Sequence, residues 1–371
     1  MTREMKRPKQ APYDLKLLIP VICLVGIGII MIYSSSSAIA LKKFGSDYYF
    51  IKKQVAFALS GLLLLLTFRY FPYKLFHNFV YPMILLSCLF LILIHGKSFG
   101  ITAGGATRWL RLGMITFQPA EFARFAMVLY LAYSLSKKQE HIQDPFIGFL
   151  PHVIILSLLS LLILAQPDFG SAAILAMLTW IMMFVGGVRV KHLILSLLPL
   201  LPLALMFMIS AEYRLRRLLS FINPWEYPAE EGYQIIHSFM AFGTGGLFGT
   251  GIGKGYQKLF YLPEPHTDFI FSVIGEELGL LGVLFILALY MTILFRGIDI
   301  AKNSRDRFGC FMAAGITTAM GLQVCINMGV ALGLLPTKGL TLPFLSYGGT
   351  SLVLNMASIG ILMNIGASQS K

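Results

Sequence analysis

The chain has 371 residues, of which 57% are hydrophobic and only 13% charged, with a mean hydropathy of +0.75. Soluble domains carry roughly 25% charged residues, so the polar skin of a water-facing globule is missing and a lipid-facing exterior accounts for the deficit. The formal net charge of +13 reads as cationic loops against anionic headgroups. It does not read as a nucleic-acid surface, because no basic stripe interleaved with aromatics marks a soluble domain.

A basic N-terminal tail (Arg3, Lys6, Arg7, Lys9) leads into a long apolar run from Leu17 with no small-residue cleavage site after it, the pattern of an uncleaved signal anchor. Taking runs of about 20 mostly apolar residues as spans, helices are expected near 17–37, 54–71, 78–95, 119–136, 148–165, 169–187, 192–210, 268–295, 308–333 and 351–368. The spans are dense in Gly, Ala and Ser, as required where helices approach closely in lipid. The four cysteines (Cys23, Cys88, Cys310, Cys325) lie in apolar runs without metal or disulfide spacing and read as small buried hydrophobes. The fold class is therefore all-α: a single polytopic transmembrane domain, 1–371, of about ten helices.

Ten spans place both termini on one side. With residues 1–16 as a cytoplasmic tail, 16 of the 30 Lys/Arg fall inside and 13 outside, with Arg124 inside a span. The direction obeys the positive-inside rule, and the many outer cations hint at anionic groups handled there, with plain headgroup contact as the bland alternative. The outer loops are lopsided. Residues 211–267 form a long extracytoplasmic loop with Arg214, Arg216, Arg217, a glycine-rich stretch from Gly243 to Gly255, and a short interfacial helix expected over Gln234–Phe242. Residues 334–350 carry prolines and glycines at membrane depth, the mark of a re-entrant segment buried in protein. No internal repeat or matching pair of broken spans points to an inverted-repeat transporter.

Ionisable residues within spans are costly and count as functional hypotheses. Glu121, Arg124, Asp168, Asp268 and Lys338 all fall at the outer side, whereas independent accidents would scatter between faces. Glu121 and Arg124 are i,i+3 neighbours after Pro119 and can pair; a structural pair that pins the helix end is an equal reading. In PEPHTDFIFSVIGEELG, Thr267 or Asp268 can simply cap the next helix. Against capping alone, Asp268, Ser272 and Glu276 repeat at i, i+4, i+8, a polar stripe that should face the bundle interior. A partly desolvated, ionised Asp268 can act as a general base. His266 is a rival base, or a turn residue and partner to Asp268, and no HExxH or His/Asp cluster supports a zinc site.

Seven segments carry a wider resemblance: YSSSS at 33–37, GGATRWLRLG at 104–113, FQPAEFAR at 117–124, QPDFGSA at 166–172, NPWEYPAEEGYQ at 223–234, LPEPHTDFIFSVIGEELG at 262–279 and LPTKGLTLPFLSYGGTS at 335–351. Over nearly its whole length the chain resembles the SEDS family (shape, elongation, division, sporulation), with NPW and KGLTLPFLSYGG favouring the cell-division branch over the elongation branch. The resemblance implies a ten-helix fold and peptidoglycan glycosyltransferase activity on lipid II. Asp268 matches the family's essential aspartate, Trp109 another functionally important position, and Glu121 with Arg124 the acid–base pair on the fourth helix. Many relatives have Lys as the second member of that pair, and Arg keeps its charge but changes its geometry. On this reading Asp268 takes the proton of the acceptor 4-hydroxyl. The donor carbon inverts and undecaprenyl diphosphate leaves.

Cations should hold that diphosphate; the outer-face candidates are Lys338 first, then Arg214, Arg216, Arg217, Lys254 and Lys258. The sequence assigns no cofactor with certainty; a divalent cation (Mg or Mn) is an allowed assistant, without any visible carboxylate cage. The implied partners are lipid II, a class B penicillin-binding transpeptidase, other division or elongation proteins and membrane lipids, at the bacterial cytoplasmic membrane and its division septum. The competing readings are a lipid II flippase and a non-catalytic division scaffold.

Overall fold

The computed structural model describes residues 13–96, 100–103, 106–113, 115–209, 216, 219–229, 232–259 and 262–369. Its helices are α1 (Leu15–Phe44), α2 (Tyr49–Tyr70), α3 (Phe76–Leu93), α4 (Pro119–Lys137), α5 (Leu150–Leu164), α6 (Phe169–Val185) and α7 (Val190–Ile209). They continue with α8 (Tyr233–Gly245), α9 (Ile270–Lys302), α10 (Arg307–Ala331) and α11 (Gly349–Gln369). Each of the ten expected spans corresponds to one of these helices, and α8 is the short extra helix. Among the described residues, seven helical stretches are long and apolar enough to cross a membrane, and α6 and part of α7 are shorter apolar helices.

The bundle is layered by what each helix faces. Helix α4 is buried along almost its whole length, held between α3, α6 and α10, so from Phe125 to Leu135 its sequence carries no charge on any side. Helices α2, α3, α5 and α7 instead leave large side chains such as Leu63, Leu85, Leu161 and Leu198 exposed, as suits a surface whose solvent is hydrocarbon. Helix α1 runs seven residues past its expected end. The hydroxyl of Ser35 turns back onto the carbonyls of Met31 (2.7 Å) and Ile32 (3.3 Å), so the serine run does not break the helix. It stops at Gly45, whose φ of 70° is the left-handed turn-off that glycine permits.

The all-α expectation needs one addition. Between α3 and α4 the chain forms a three-stranded antiparallel sheet, β1 (Gly100–Ala103), β2 (Ala106–Leu112) and β3 (Ile115–Phe117). The β1–β2 register shifts between Ile101 and Thr102, where Trp109 pairs with Ile101 and Thr107 with Thr102, so Arg108 is the extra residue of a bulge; Leu110 is fully buried.

Helix α9 was expected as one span over 268–295; it begins at Ile270, runs to Lys302 and is broken at Gly279 (φ 66°, ψ −168°), a conformation open to glycine alone. The break leaves backbone groups without helical partners, and the glycine-rich segment supplies them. Leu280 N–H donates to Gly246 O (2.9 Å) and Leu281 N–H to Leu247 O (3.2 Å). In return Thr250 N–H donates to Glu276 O (2.9 Å) and Gly251 N–H to Glu277 O (3.0 Å). Part of the expected long outer loop is thus a splint inside the bundle, where a free peptide group costs several kcal/mol.

The segment after α10 dips in a comparable way. Leu340, Leu342, Phe344 and Leu345 are buried. Tyr290, far down α9, donates its hydroxyl to Pro343 O, and Gln323 Nε2 donates to Thr341 O (2.8 Å). Its irregular backbone is enclosed by protein rather than lipid.

Candidate active site

Four segments converge at one end of the bundle: the turn before α9, strand β2, the turn between α5 and α6, and the buried segment after α10. Asp268 does not cap α9. The N-cap is Phe269, without a side-chain cap bond, so the capping reading of Thr267 and Asp268 is corrected. Asp268 sits in the preceding turn, partly open to solvent, and Asn327 Nδ2 fixes that turn by donating to Asp268 O (3.1 Å) and Leu340 O.

Gly339 marks where the site opens. It is exposed, and a methyl group added to it would lie 3.1 Å from Asp268 Oδ2 and 3.9 Å from Arg108 Nη1. The carboxylate and the guanidinium therefore flank one small space that only the absence of a side chain keeps clear. Arg108 is held there by its Nη2, which donates to Pro167 O (2.6 Å). Loss of hydration raises the Asp268 carboxyl to about 7, with Glu264 adding to the rise and Thr267 and Arg108 opposing it. A carboxyl balanced near neutrality, next to a cation and open on one side, is suited to taking a proton.

Lys338 precedes Gly339 and leans toward α6. A methyl on Gly170 would meet Lys338 Cδ at 3.5 Å and Asp168 Oδ1 at 3.6 Å. Asp168 caps α6, accepting from Ser171 N (3.2 Å) and Ser171 Oγ (2.7 Å). Burial lowers the Lys338 ammonium pKa, and the Asp168 charge pulls it back up. In the first turns of α4, Glu121 and Arg124 are bonded to each other, with both side chains largely buried. His266 is buried and packs at a tilt between the rings of Phe50 (centroids 4.6 Å) and Tyr347 (5.7 Å). Burial lowers its pKa, so it packs as a neutral ring in the turn.

Other expected site residues are placed elsewhere. Ser272 and Glu276 do not extend the site from Asp268. Ser272 Oγ bonds Ser238 Oγ of α8 (2.6 Å). Glu276 accepts from Tyr256 N (2.7 Å) and Gln257 N (3.2 Å). The stripe is real in register, but its lower members are consumed by packing. Lys258 needs the same correction as a diphosphate ligand. It is buried, donating to Glu277 Oε1 (2.5 Å) and Ser34 Oγ (2.7 Å), because a lone ammonium at that depth needs a counter-charge. Lys254 is exposed in the turn beside Glu276 and Glu277, about two helical turns down from Asp268. Arg216 is exposed, and Arg214 and Arg217 lie outside the described residues. Trp109 is half-buried in β2. Its neighbour Arg108, not singled out from the sequence, is the strand residue that reaches Asp268. Arg108 is the extra residue of the β1–β2 bulge, and a bulge of this kind re-aims a side chain without leaving a periodic signal in the sequence. Among the described residues, no group of three or more His, Cys, Asp or Glu converges as a metal site.

A bundle with seven helical stretches able to cross a membrane among the described residues, and with a near-neutral carboxyl and cations gathered at one end, defines a class of multi-pass membrane protein with a polar site at one end of its helices. The family model for the cell cycle proteins FtsW, RodA and SpoVE matches residues 15–371, and the chain belongs to that family. It is 45% identical over 354 residues to the probable peptidoglycan glycosyltransferase FtsW of Geobacter sulfurreducens, covering 95% of each chain. With stage V sporulation protein E of Bacillus subtilis it shares 40% identity, covering 97% of this chain and 98% of that one. Among solved structures it is similar to a chain of a peptidoglycan synthase complex that coordinates polymerization and crosslinking (TM-score 0.79, 28% identity, 97% and 99% covered). It is also similar to the rod shape determining protein RodA of Thermus thermophilus (TM-score 0.72, 28% identity, 98% and 100% covered).

Proposed function

We propose that the chain is a peptidoglycan glycosyltransferase that polymerises lipid II into β-1,4 glycan at the outer face of the bacterial cytoplasmic membrane during division. The observation that carries this reading is Asp268, its carboxyl raised to about 7 beside the open space at Gly339 and facing Arg108. The acceptor 4-hydroxyl gives its proton to Asp268 as its oxygen bonds the donor anomeric carbon. The bond from that carbon to the diphosphate breaks with inversion, and undecaprenyl diphosphate leaves with the electron pair. A diphosphate leaves without strong acid assistance, so fixed cations are the group the site must supply. Arg108 stands next to the space, and Lys338, one residue before Gly339 with its side chain beside Asp168, is the second cation assigned that role. Glu121–Arg124, close to Asp168, holds the helix end beneath it. A divalent cation (Mg or Mn) is compatible with a diphosphate and is assigned no residue here.

The chain works with both termini in the cytoplasm and with a penicillin-binding transpeptidase for the crosslinking step. The test is to purify the chain with that partner, add labelled lipid II, and compare wild type with Asp268→Asn. The variant should bind lipid II and make no glycan. Glycan at the wild-type rate from a folded Asp268→Asn protein refutes the role of Asp268, and movement of lipid II across a bilayer without polymerisation favours the flippase reading.

A further inference from the structure

A cavity lies at the opposite end of the bundle, beside the start of α1 and the end of α11. It holds about 570 Å³, within the range of small-ligand sites, and it opens between the ends of α2 and α11 and the α9–α10 turn. Among the described residues, the cations Arg69, Lys74 and Arg305 and the carboxylate of Asp306 line it. That carboxylate is already engaged. It caps α10 by accepting from Gly309 N (3.1 Å), and it accepts the hydroxyl of Tyr73. Arg69 is 6% exposed, its guanidinium lying 5.8 Å and 5.7 Å from the ring centres of Tyr13 and Tyr70. These two rings meet edge to face and share a hydroxyl contact of 2.6 Å. The wall is fixed by Asn364, which donates to Arg69 O (2.7 Å) and accepts from Tyr73 N (3.1 Å).

A buried arginine in an aromatic frame at a membrane boundary, with two exposed cations on the rim, has the chemistry of a phosphate-ester anion site. The position matches where a phospholipid headgroup lies, since tyrosines of this kind sit at headgroup level. We propose that this cavity binds the anionic phosphate of a phosphodiester headgroup from the leaflet facing the termini. The site is separate from the Asp268 centre and does not depend on the reaction assigned to that centre. A soluble phosphate anion has the same recognition chemistry, and the test separates the two sources.

The full chain in detergent is titrated with dioctanoyl-phosphatidylglycerol, dioctanoyl-phosphatidylcholine or inorganic phosphate, reading the thermal unfolding midpoint. Phosphatidylglycerol should raise the midpoint in a saturable way, and more than phosphatidylcholine, whose choline cancels the charge. In K74Q/R305Q the apparent affinity should weaken about 30-fold, the effect of two cations at a membrane surface. K74R/R305K should stay within about threefold of wild type, since charge is retained, which separates charge loss from misfolding. R189Q/K191Q removes exposed cations from the α6–α7 turn at the same end and should leave the affinity unchanged. Equal protection by inorganic phosphate at the same concentration supports the site and assigns it a soluble anion. Equal protection by both lipids, or the same affinity in K74Q/R305Q as in wild type, overturns the proposal.

Discussion

The strongest test of the physical reasoning is the stability of Asp268→Asn as a function of pH, because it needs no substrate. The Asp268 carboxyl moves from an ordinary 3.8 to about 7 in the folded chain, chiefly through burial. A raised acid favours its neutral form in the fold. Its ionisation therefore costs the fold nothing below about pH 4, an increasing amount as pH climbs from there to 7, and a constant amount above. About three units at 1.36 kcal/mol each set a ceiling of about 4 kcal/mol, reduced in proportion to the solvent that reaches this partly open group. Asparagine keeps the shape and cannot ionise. In detergent the variant should melt with wild type near pH 4 and several °C higher at pH 8. The acid limb of the wild-type kcat/KM profile should fall at about 7. Glu264→Gln should move that limb to lower pH and Arg108→Gln to higher pH, since Glu264 raises and Arg108 lowers the carboxyl. The shift at Glu264 should be only a few tenths of a unit, as that side chain is 62% exposed and screened. A stability gain that is the same at pH 5 and pH 8, or none at pH 8, would show that Asp268 is not desolvated as described.

Two further outcomes follow from packing. Gly339→Ala places a methyl 3.1 Å from Asp268 Oδ2; kcat for polymerisation should fall at least about tenfold with the melting midpoint nearly unchanged, since the residue is exposed and the loss is one of access. Lys258→Ala leaves Glu277 buried without its ammonium, a loss of about 3–5 kcal/mol visible in thermal melts. Lys258→Met with Glu277→Leu should recover much of it, and a K258A protein as stable as wild type would place the Lys258–Glu277 pair in water.

The spans were legible because lipid leaves a chain little choice: each crossing needs a long apolar run with every backbone group bonded inside it. The helix ends were less so, since Ser35 bonds within α1 and carries that helix on to Phe44. The small sheet was hidden because strands of three to seven residues in a glycine-rich loop carry little periodicity. The break at Gly279 was hidden for a different reason. Nothing in SVIGEELGLLG announces which glycine departs from helix until the segment around Gly246 arrives to bond the exposed groups.

For the site, sequence alone grouped Glu121, Arg124, Asp168, Asp268 and Lys338 at one expected boundary and singled out Asp268, because an acid there is costly. It did not determine which charges meet. Lys258 and Lys338 are lysines of two expected outer loops, yet one is locked to Glu277 and the other lies beside Gly170 and Asp168. Trp109 belonged to the recognisable motif, while Arg108 is the residue turned toward the carboxylate. A charge takes its role from whichever partner tertiary packing brings within a few ångströms, and here that packing set helix, strand and two buried loops around Asp268.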